Sequence, residues 1–321
     1  MGRRVSIRRT VPRPADDAAD RPLFSDVVGD LLALDDTAAL VESHDTLVEV
    51  PLADIAIARL VPPSTAEELV LEEIGGKGWQ ARETEQLGGW LLRANDGFTM
   101  RANSVHAVRK PSLPLSEALE YCAQWYAARN LPLRINLPTE GRRLLDAELG
   151  ERGFEPSPDN HVMVARLERL TGDPADAVVT STPDEDWFAR YRDGAGAIPA
   201  NRELLLRHDD PGFATIRRDG QVVAIGRGVV DDGWLGVAAV EVAPELRRQG
   251  LAQAIMAALW DWGRTRGAAR SYLHVASTNT AAIALYSGEG YYVHHDYRTR
   301  TAPADLTNVV TPAAPPSNTS A

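Results

Sequence analysis

The chain has 321 residues, of which 44% are hydrophobic and 25% charged, and a formal net charge of −11. That balance is ordinary for a folded globular protein, lacks the basic excess of a nucleic-acid backbone binder, and contains no apolar run near the ~18 residues of a membrane span. The basic start at Arg3, Arg4, Arg8 and Arg9 precedes no signal-type apolar stretch, so a cytoplasmic location with neither membrane nor nucleic-acid partner is expected.

Residues 1–62 hold short alternating or β-branched runs, at Arg4–Arg9, Val27–Leu34, Ala39–Glu42 and Thr46–Val50, with Asp35-Asp36 and Ser43-His44-Asp45 as tight connections. About five strands in so few residues predict a small β-barrel of the Src-homology type with a structural or docking role. From Ser64 the pattern changes. Glu67 stands three residues after Ser64, a capping box that opens a helix over Thr65–Ile74. Strands over Gly89–Ala94 and Met100–Arg109, paired around Asn95-Asp96-Gly97, are expected next. A helix over Leu115–Asn130 follows, in which Leu115, Leu119, Cys122 and Tyr126 repeat at helical spacing. The one cysteine therefore reads as a buried structural thiol, with no disulfide framework and no thiolate set for a metal. A strand at Leu133–Leu137, a helix at Arg142–Glu151 and a strand at His161–Leu167 complete a domain over 64–168.

Leu170–Ala175 reads as a linker to a second alternating unit over 175–302. Strands are expected at Phe213–Arg218, Val222–Val230 and Trp234–Val242, with hairpin turns at Arg218-Asp219-Gly220 and Asp231-Asp232-Gly233. A helix at Leu251–Arg266, a strand at Ser271–Val275, a helix at Thr280–Glu289 and a strand from Tyr291 follow. Asp193–Arg207 reads as a loop, and residues 303–321, rich in Pro, Ala, Thr and Ser, as a disordered tail.

The segment that carries chemistry is Val240–Ala252. A strand stops at Pro244, and a helix with Leu251, Ile255, Ala258 and Trp262 on one face begins after Gly250. Such a junction points free backbone N–H groups at one spot, where the helix dipole favours an anion. Gly250 and the small Ala252 allow close approach, and Arg247 and Arg248 add positive charge. These residues make a pyrophosphate cradle. Neither a Gly-Lys-Ser/Thr phosphate loop nor a dinucleotide G-x-G-x-x-G fingerprint accompanies it.

The run Arg247-Arg248-Gln249-Gly250-Leu251-Ala252 resembles the Arg/Gln-x-x-Gly-x-Gly/Ala hallmark of the GNAT superfamily, the N-acetyltransferases related to histone acetyltransferases. Asn279–Tyr286 followed by Gly290-Tyr291 resembles its second signature. The resemblance implies an α/β (α+β) GNAT fold: a central mixed, mostly antiparallel sheet flanked by helices. It also implies acetyl-CoA as co-substrate, its pyrophosphate on the Arg247–Ala252 loop and its pantetheine arm along Val240–Val242. Asn279 is implied as a cofactor contact, and Tyr286 as the acid that protonates the departing thiolate. The sequence departs from the family at Ser287-Gly288, where Gly288 is expected to shorten the helix. Residues 64–168 resemble the degenerate N-terminal half of tandem GNAT proteins, through Gly89–Arg93 and Arg101–Val105, and carry no second cradle. The three-part layout is similar to an actinobacterial subfamily with a barrel in front.

Transfer to an amine requires a base. Glu241, out of phase with Val240 and Val242 on the motif strand, is the candidate; the alternative is that it faces a cross-strand partner. His274 could face the site from the Ser271–Val275 strand, but an ordinary sheet position is the expected one. His294-His295-Asp296 is the only histidine cluster, and strand alternation turns its neighbours to opposite faces, so no metal is expected. The function this predicts is acetyl transfer to a primary amine by direct attack, on a small molecule or peptide that an acidic surface helps to gather. The alternative is a non-catalytic acyl-CoA sensor or docking module.

Overall fold

The structure, a computed structural model, describes residues 3–12, 22–44, 46–304 and 306. The first sixty positions give β1 (Arg4–Val11), β2 (Leu23–Leu34), β3 (Ala38–Ser43), β4 (Thr46–Pro51) and β5 (Ile55–Leu60). They form one sheet in the order β4-β3-β2-β1-β5, around Val5, Ile7, Val27, Ala39, Val41 and Val50. Among the described residues no ladder joins β4 to β5, so the sheet is open where a closed barrel was expected. The reason lies in β5, which is exposed along nearly its whole length and has no inward row to close against. Asp45 of the expected turn, and all but the first residues of the expected tail, lie outside the described residues.

The capping box forms as read: the Ser64 hydroxyl accepts from the Glu67 N–H at 3.3 Å, and the Glu67 carboxylate accepts from the Ser64 N–H at 2.7 Å. It opens α1 (Thr65–Lys77). Then come β6 (Glu83–Leu87), β7 (Trp90–Ala94), β8 (Val105–His106), α2 (Leu115–Ala127), β9 (Arg134–Pro138), α3 (Arg143–Glu151), β10 (Glu155–Pro156) and β11 (Asn160–Arg166). The hairpin here differs from expectation. β7 pairs with β6 around Gly88-Gly89, from Leu87↔Trp90 to Glu83↔Ala94. Asn95-Asp96-Gly97 instead opens a loop held by Asn103, whose side-chain carbonyl accepts from the Asn95 and Gly97 N–H groups at 2.7 and 2.9 Å. A side chain that satisfies those donors removes the need for a ladder, and only Val105–His106 of the expected second strand remains extended.

The rest of the chain forms β12 (Val178–Thr180), α4 (Glu185–Arg190), α5 (Pro199–Leu206), β13 (Gly212–Arg218), β14 (Gln221–Asp231), β15 (Trp234–Val242), α6 (Leu251–Thr265), β16 (Arg270–Ala276), α7 (Thr280–Gly288) and β17 (Tyr292–Thr301). Where Asp193–Arg207 was expected as loop, α5 forms with Pro199 in its first turn. Asp184 caps α4 by accepting from the Trp187 N–H at 2.9 Å. α7 runs through Gly288 rather than stopping short of it.

Strands from both sides of residue 170 build one twelve-stranded sheet, ordered β12-β13-β14-β15-β16-β11-β17-β9-β8-β7-β6, with β10 on β17. β11 lies between β16 and β17, and β17 between β11 and β9. A buried carboxylate, Glu72 of α1, clamps this junction: it meets Nε2 of His106 and of His295, each at 2.9 Å. Alternation fails at the histidine cluster because the register slips beside His294, which brings Nδ1 of His294 and His295 within 2.8 Å. Among the described residues no group of three or more His, Cys, Asp or Glu stands where it could hold a metal ion. No helix among them is long and apolar enough to cross a membrane.

α6 packs on β13, β14 and β15 through Ile255 and Leu259, both fully buried. Gly226 lets it come close, since a Cβ there would lie 2.5 Å from the Ile255 Cγ2. A buried relay fixes the other flank: the Trp260 indole donates to the Tyr291 hydroxyl at 3.0 Å, which donates to Ser271 at 2.7 Å, which donates to the Leu235 carbonyl at 3.0 Å.

Candidate active site

The sheet splits at its centre. β15 and β16 run parallel, but their ladder stops at Val237↔Leu273 although both strands continue. On its other edge β15 bulges. Ile225 faces Glu241 and Arg227 faces Ala238, so Ala239 and Val240 oppose a single residue, with Ala239 at φ 55°. A bulge sharpens the local twist and carries the end of β15 away from β16. From Ala238 onward that edge of β15 faces an opening instead of a strand.

A cleft of about 850 Å³ lies on one side of the opening, between β15, the start of α6 and α7. Val240, Glu241, Val242, Arg247, Arg248, Gly250, Leu251, Ala252 and Asn279 all line it. α6 begins at Gly250 with no side chain capping it, so its first N–H groups have no intrahelical partner. Arg248 and Gly250 take left-handed backbone, φ 61° and 81°, and a Cβ on Gly250 would meet nothing within 4 Å. A curled loop, an open space, uncapped amides and two exposed guanidinium groups fit a pyrophosphate. Gln249 is exposed and does not line the cleft. Asn279 does, while its side chain caps α7 by accepting from the Ala282 N–H at 3.2 Å.

Glu241 faces the cleft together with Val240 and Val242, because the bulge breaks strict alternation. Across the strand it faces Ile225, with no charged partner there among the described residues, and its carboxylate accepts from the Arg192 N–H at 3.0 Å. Burial pushes its pKa above the usual carboxylate value, partly countered by that bond. Tyr286 is half-buried, packs against the core beside Tyr291 at 6.2 Å, and does not line the cleft. Burial raises its phenol to about 12.

The second side of the opening holds a pocket of about 310 Å³. Val237, Ala238 and Ala239 of β15 line it, so one strand serves both cavities. Trp79, Arg101 and Asn136 come from the preceding region, and His274 and Tyr297 from β16 and β17. His274 thus faces the site. Sequence reasoning missed these residues, having favoured an ordinary sheet position for His274, because they converge only once β11 and β17 are interleaved. Arg190 of the cleft ends α4, and Tyr191 of the pocket and Asp193 of the cleft follow it. The signal for that helix was present in Asp184 and in the Trp187–Tyr191 spacing.

A split sheet with a phosphate-fitting helix start on one side and a small pocket on the other defines an N-acetyltransferase of the GNAT fold. The profile described as "Probable histone acetyltransferase Rv0428c C-terminal" matches residues 65–300, and the chain belongs to that family. It is 30% identical over 308 residues to the probable histone acetyltransferase Rv0428c of Mycobacterium tuberculosis, covering 93% of this chain and 94% of that one. It is 26% identical to the uncharacterized N-acetyltransferase YobR of Bacillus subtilis, covering 71% and 96% respectively. A solved GCN5-related N-acetyltransferase from Kribbella flavida shares the fold with TM-score 0.57 and 21% identity, over 74% of this chain and 95% of that one.

Proposed function

We propose that the chain transfers the acetyl group of acetyl-CoA directly to a primary amine, both held in one ternary complex. The observation that carries this reading is the sharing of β15: Val240–Val242 border the cleft and Val237–Ala239 border the pocket. A thioester along the first and an amine in the second would meet at the bulge, which supplies proximity without a covalent enzyme intermediate. When bound, acetyl-CoA supplies an activated acyl group. The Gly250–Ala252 amides with Arg247 and Arg248 hold its pyrophosphate, and the free edge of β15 aligns its pantetheine arm.

Two protons must move. The attacking amine has to lose one, and Glu241 is the group we assign to take it, directly or through water. Burial raises its pKa, which makes the carboxylate a stronger base toward that proton. Tyr286 is assigned to return a proton to the departing sulfur. That assignment rests on its spacing of seven residues from Asn279 and on a phenol that burial keeps protonated, and it requires the ring to turn from its packed position beside Tyr291 into the cleft that it does not line here. Residues 64–168 bind no cofactor in this reading and wall the acceptor pocket through Trp79, Arg101 and Asn136. CoA release measured against a panel of primary amines tests the proposal. Acceptor-dependent release supports it, and acetyl-CoA binding without release for any amine refutes it.

A further inference from the structure

The pocket beside β15 has a charge opposite to that of the chain as a whole. Among the described residues that line it there is no Asp or Glu, while Arg101 and Arg192 are both present. Neither guanidinium makes an ion pair with a described residue. Arg101 lies over the Trp79 ring at 4.9 Å, and Arg192 over the Phe98 and Tyr191 rings at 5.4 and 5.6 Å.

Below the pocket a small cavity continues its floor, bordered by Arg101, Arg227, Tyr272 and His274. Three buried nitrogens there have no hydrogen-bond partner among the described residues: Nε of Arg101, Nη2 of Arg227 and Nδ1 of His274. Arg227 is only 1% exposed. Its other nitrogens are used, Nε on the Leu205 carbonyl at 2.7 Å and Nη1 on the Gly78 carbonyl at 3.0 Å. Arginine has donors and no acceptor, and a buried donor left without a partner is costly. What the floor lacks is an acceptor, and preferably a charged one.

Resting on the acetyltransferase reading above, we infer that the acceptor is a small primary amine that also carries an anionic group, a carboxylate or a phosphate. The anion sits against Arg101 at the pocket floor, and the amine points to the β15 bulge. At about 310 Å³ the pocket is at the low end of small-molecule sites, the right scale for a molecule of amino-acid size. The aromatic walls of Trp79, Tyr191 and Tyr297 take its apolar part. A polyamine or a lysine-rich peptide would instead bring cations to two arginines that have no ion pair among the described residues.

The test presents the protein and acetyl-CoA with an equimolar mixture of the twenty L-amino acids, and separately with their amides. O-phosphoethanolamine against ethanolamine, and a lysine-rich peptide, are further arms; N-acetylated products are read by mass spectrometry. The amides have the less basic amines, more of which are neutral at assay pH, so an indifferent pocket would favour them. The inference expects anionic acceptors to be preferred about ten- to hundredfold, the range of a charge-assisted hydrogen bond. The first pair of arms reads the carboxylate source and the second the phosphate source. Arg101→Gln should raise KM for the preferred acceptor with little change in kcat and remove the preference, and Arg101→Lys should restore part of it. If Arg101→Gln does not fold, Arg192→Gln at the exposed mouth and the wild-type acid-to-amide ratio still decide. Equal or faster use of amides, ethanolamine or the cationic peptide overturns the inference, and so does the lack of product from every anionic amine. Calorimetry of acetyl-CoA without acceptor separates these failures: intact binding would leave the cofactor cleft standing and remove only the acceptor class.

Discussion

Replacing Gly226 with alanine sets two effects of known size against each other. Gly226 has no left-handed backbone, so alanine fits its conformation and should stabilise by about 0.4–1 kcal/mol through the unfolded chain. Against this, the new Cβ would stand 2.5 Å from the Ile255 Cγ2 and 3.1 Å from the Leu259 Cδ1. Both side chains are 0% exposed and have no free space to retreat into, and overpacking of this kind costs ~1–3 kcal/mol. The steric effect wins, for a net loss of up to about 2.5 kcal/mol once the entropic gain is subtracted. Relief requires α6 to move outward, which carries Gly250–Ala252 with it, so acetyl-CoA affinity should also fall severalfold. The control is Gly288→Ala at the end of α7, where a Cβ meets nothing within 4 Å and the gain should be about 0.5–1 kcal/mol. Urea denaturation followed by circular dichroism, with calorimetry for the cofactor, reads both quantities. A Gly226→Ala protein as stable as the wild type, or more so, would refute the packing argument.

Other consequences are as direct. Glu241→Gln should lower turnover by ~10²-fold or more and abolish the acidic limb of the pH–rate profile. In the wild type that limb should lie above the ordinary carboxylate range, since burial raises this group and activity needs it ionised. Tyr286→Phe should cut kcat with little change in acetyl-CoA affinity; wild-type turnover would remove the proton-donor assignment. Cys122 is fully buried and its thiol is pushed up to about 12, so a thiol reagent should label it only after denaturation, and prompt labelling of the folded protein would contradict its placement.

How much of this was legible in the residues depends on whether the signal is local. The Ser64–Glu67 box, the Asp-Gly turns around β14 and the strand–Pro–Gly–helix run of Val240–Ala252 each specify their geometry within a dozen residues, and each formed where it was read. The Asn95-Asp96-Gly97 turn misled because a more distant side chain, Asn103, takes over the donors a hairpin would have used. α5 is short and weakly patterned, and forms through packing of Leu204 and Leu205 against the core. The interleaving of β11 between β16 and β17 left no local trace, since nothing in Asn160–Arg166 names its neighbours. The acceptor pocket depends on that interleaving, and so Arg101, His274 and Tyr297 could not be assembled from spacing alone.

One acetyl-CoA should bind each chain, at the start of α6, and calorimetric titration measures both the number and the affinity. The wild type should show a stoichiometry of one per chain, because residues 64–168 carry no Arg-x-x-Gly-x-Gly/Ala run to form a second cradle. Gly250→Val would fill the open space at the loop and force a β-branched residue to φ 81°, so affinity should drop tenfold or more while circular dichroism is unchanged. Undiminished binding by Gly250→Val, or a stoichiometry near two, would contradict binding at this one site.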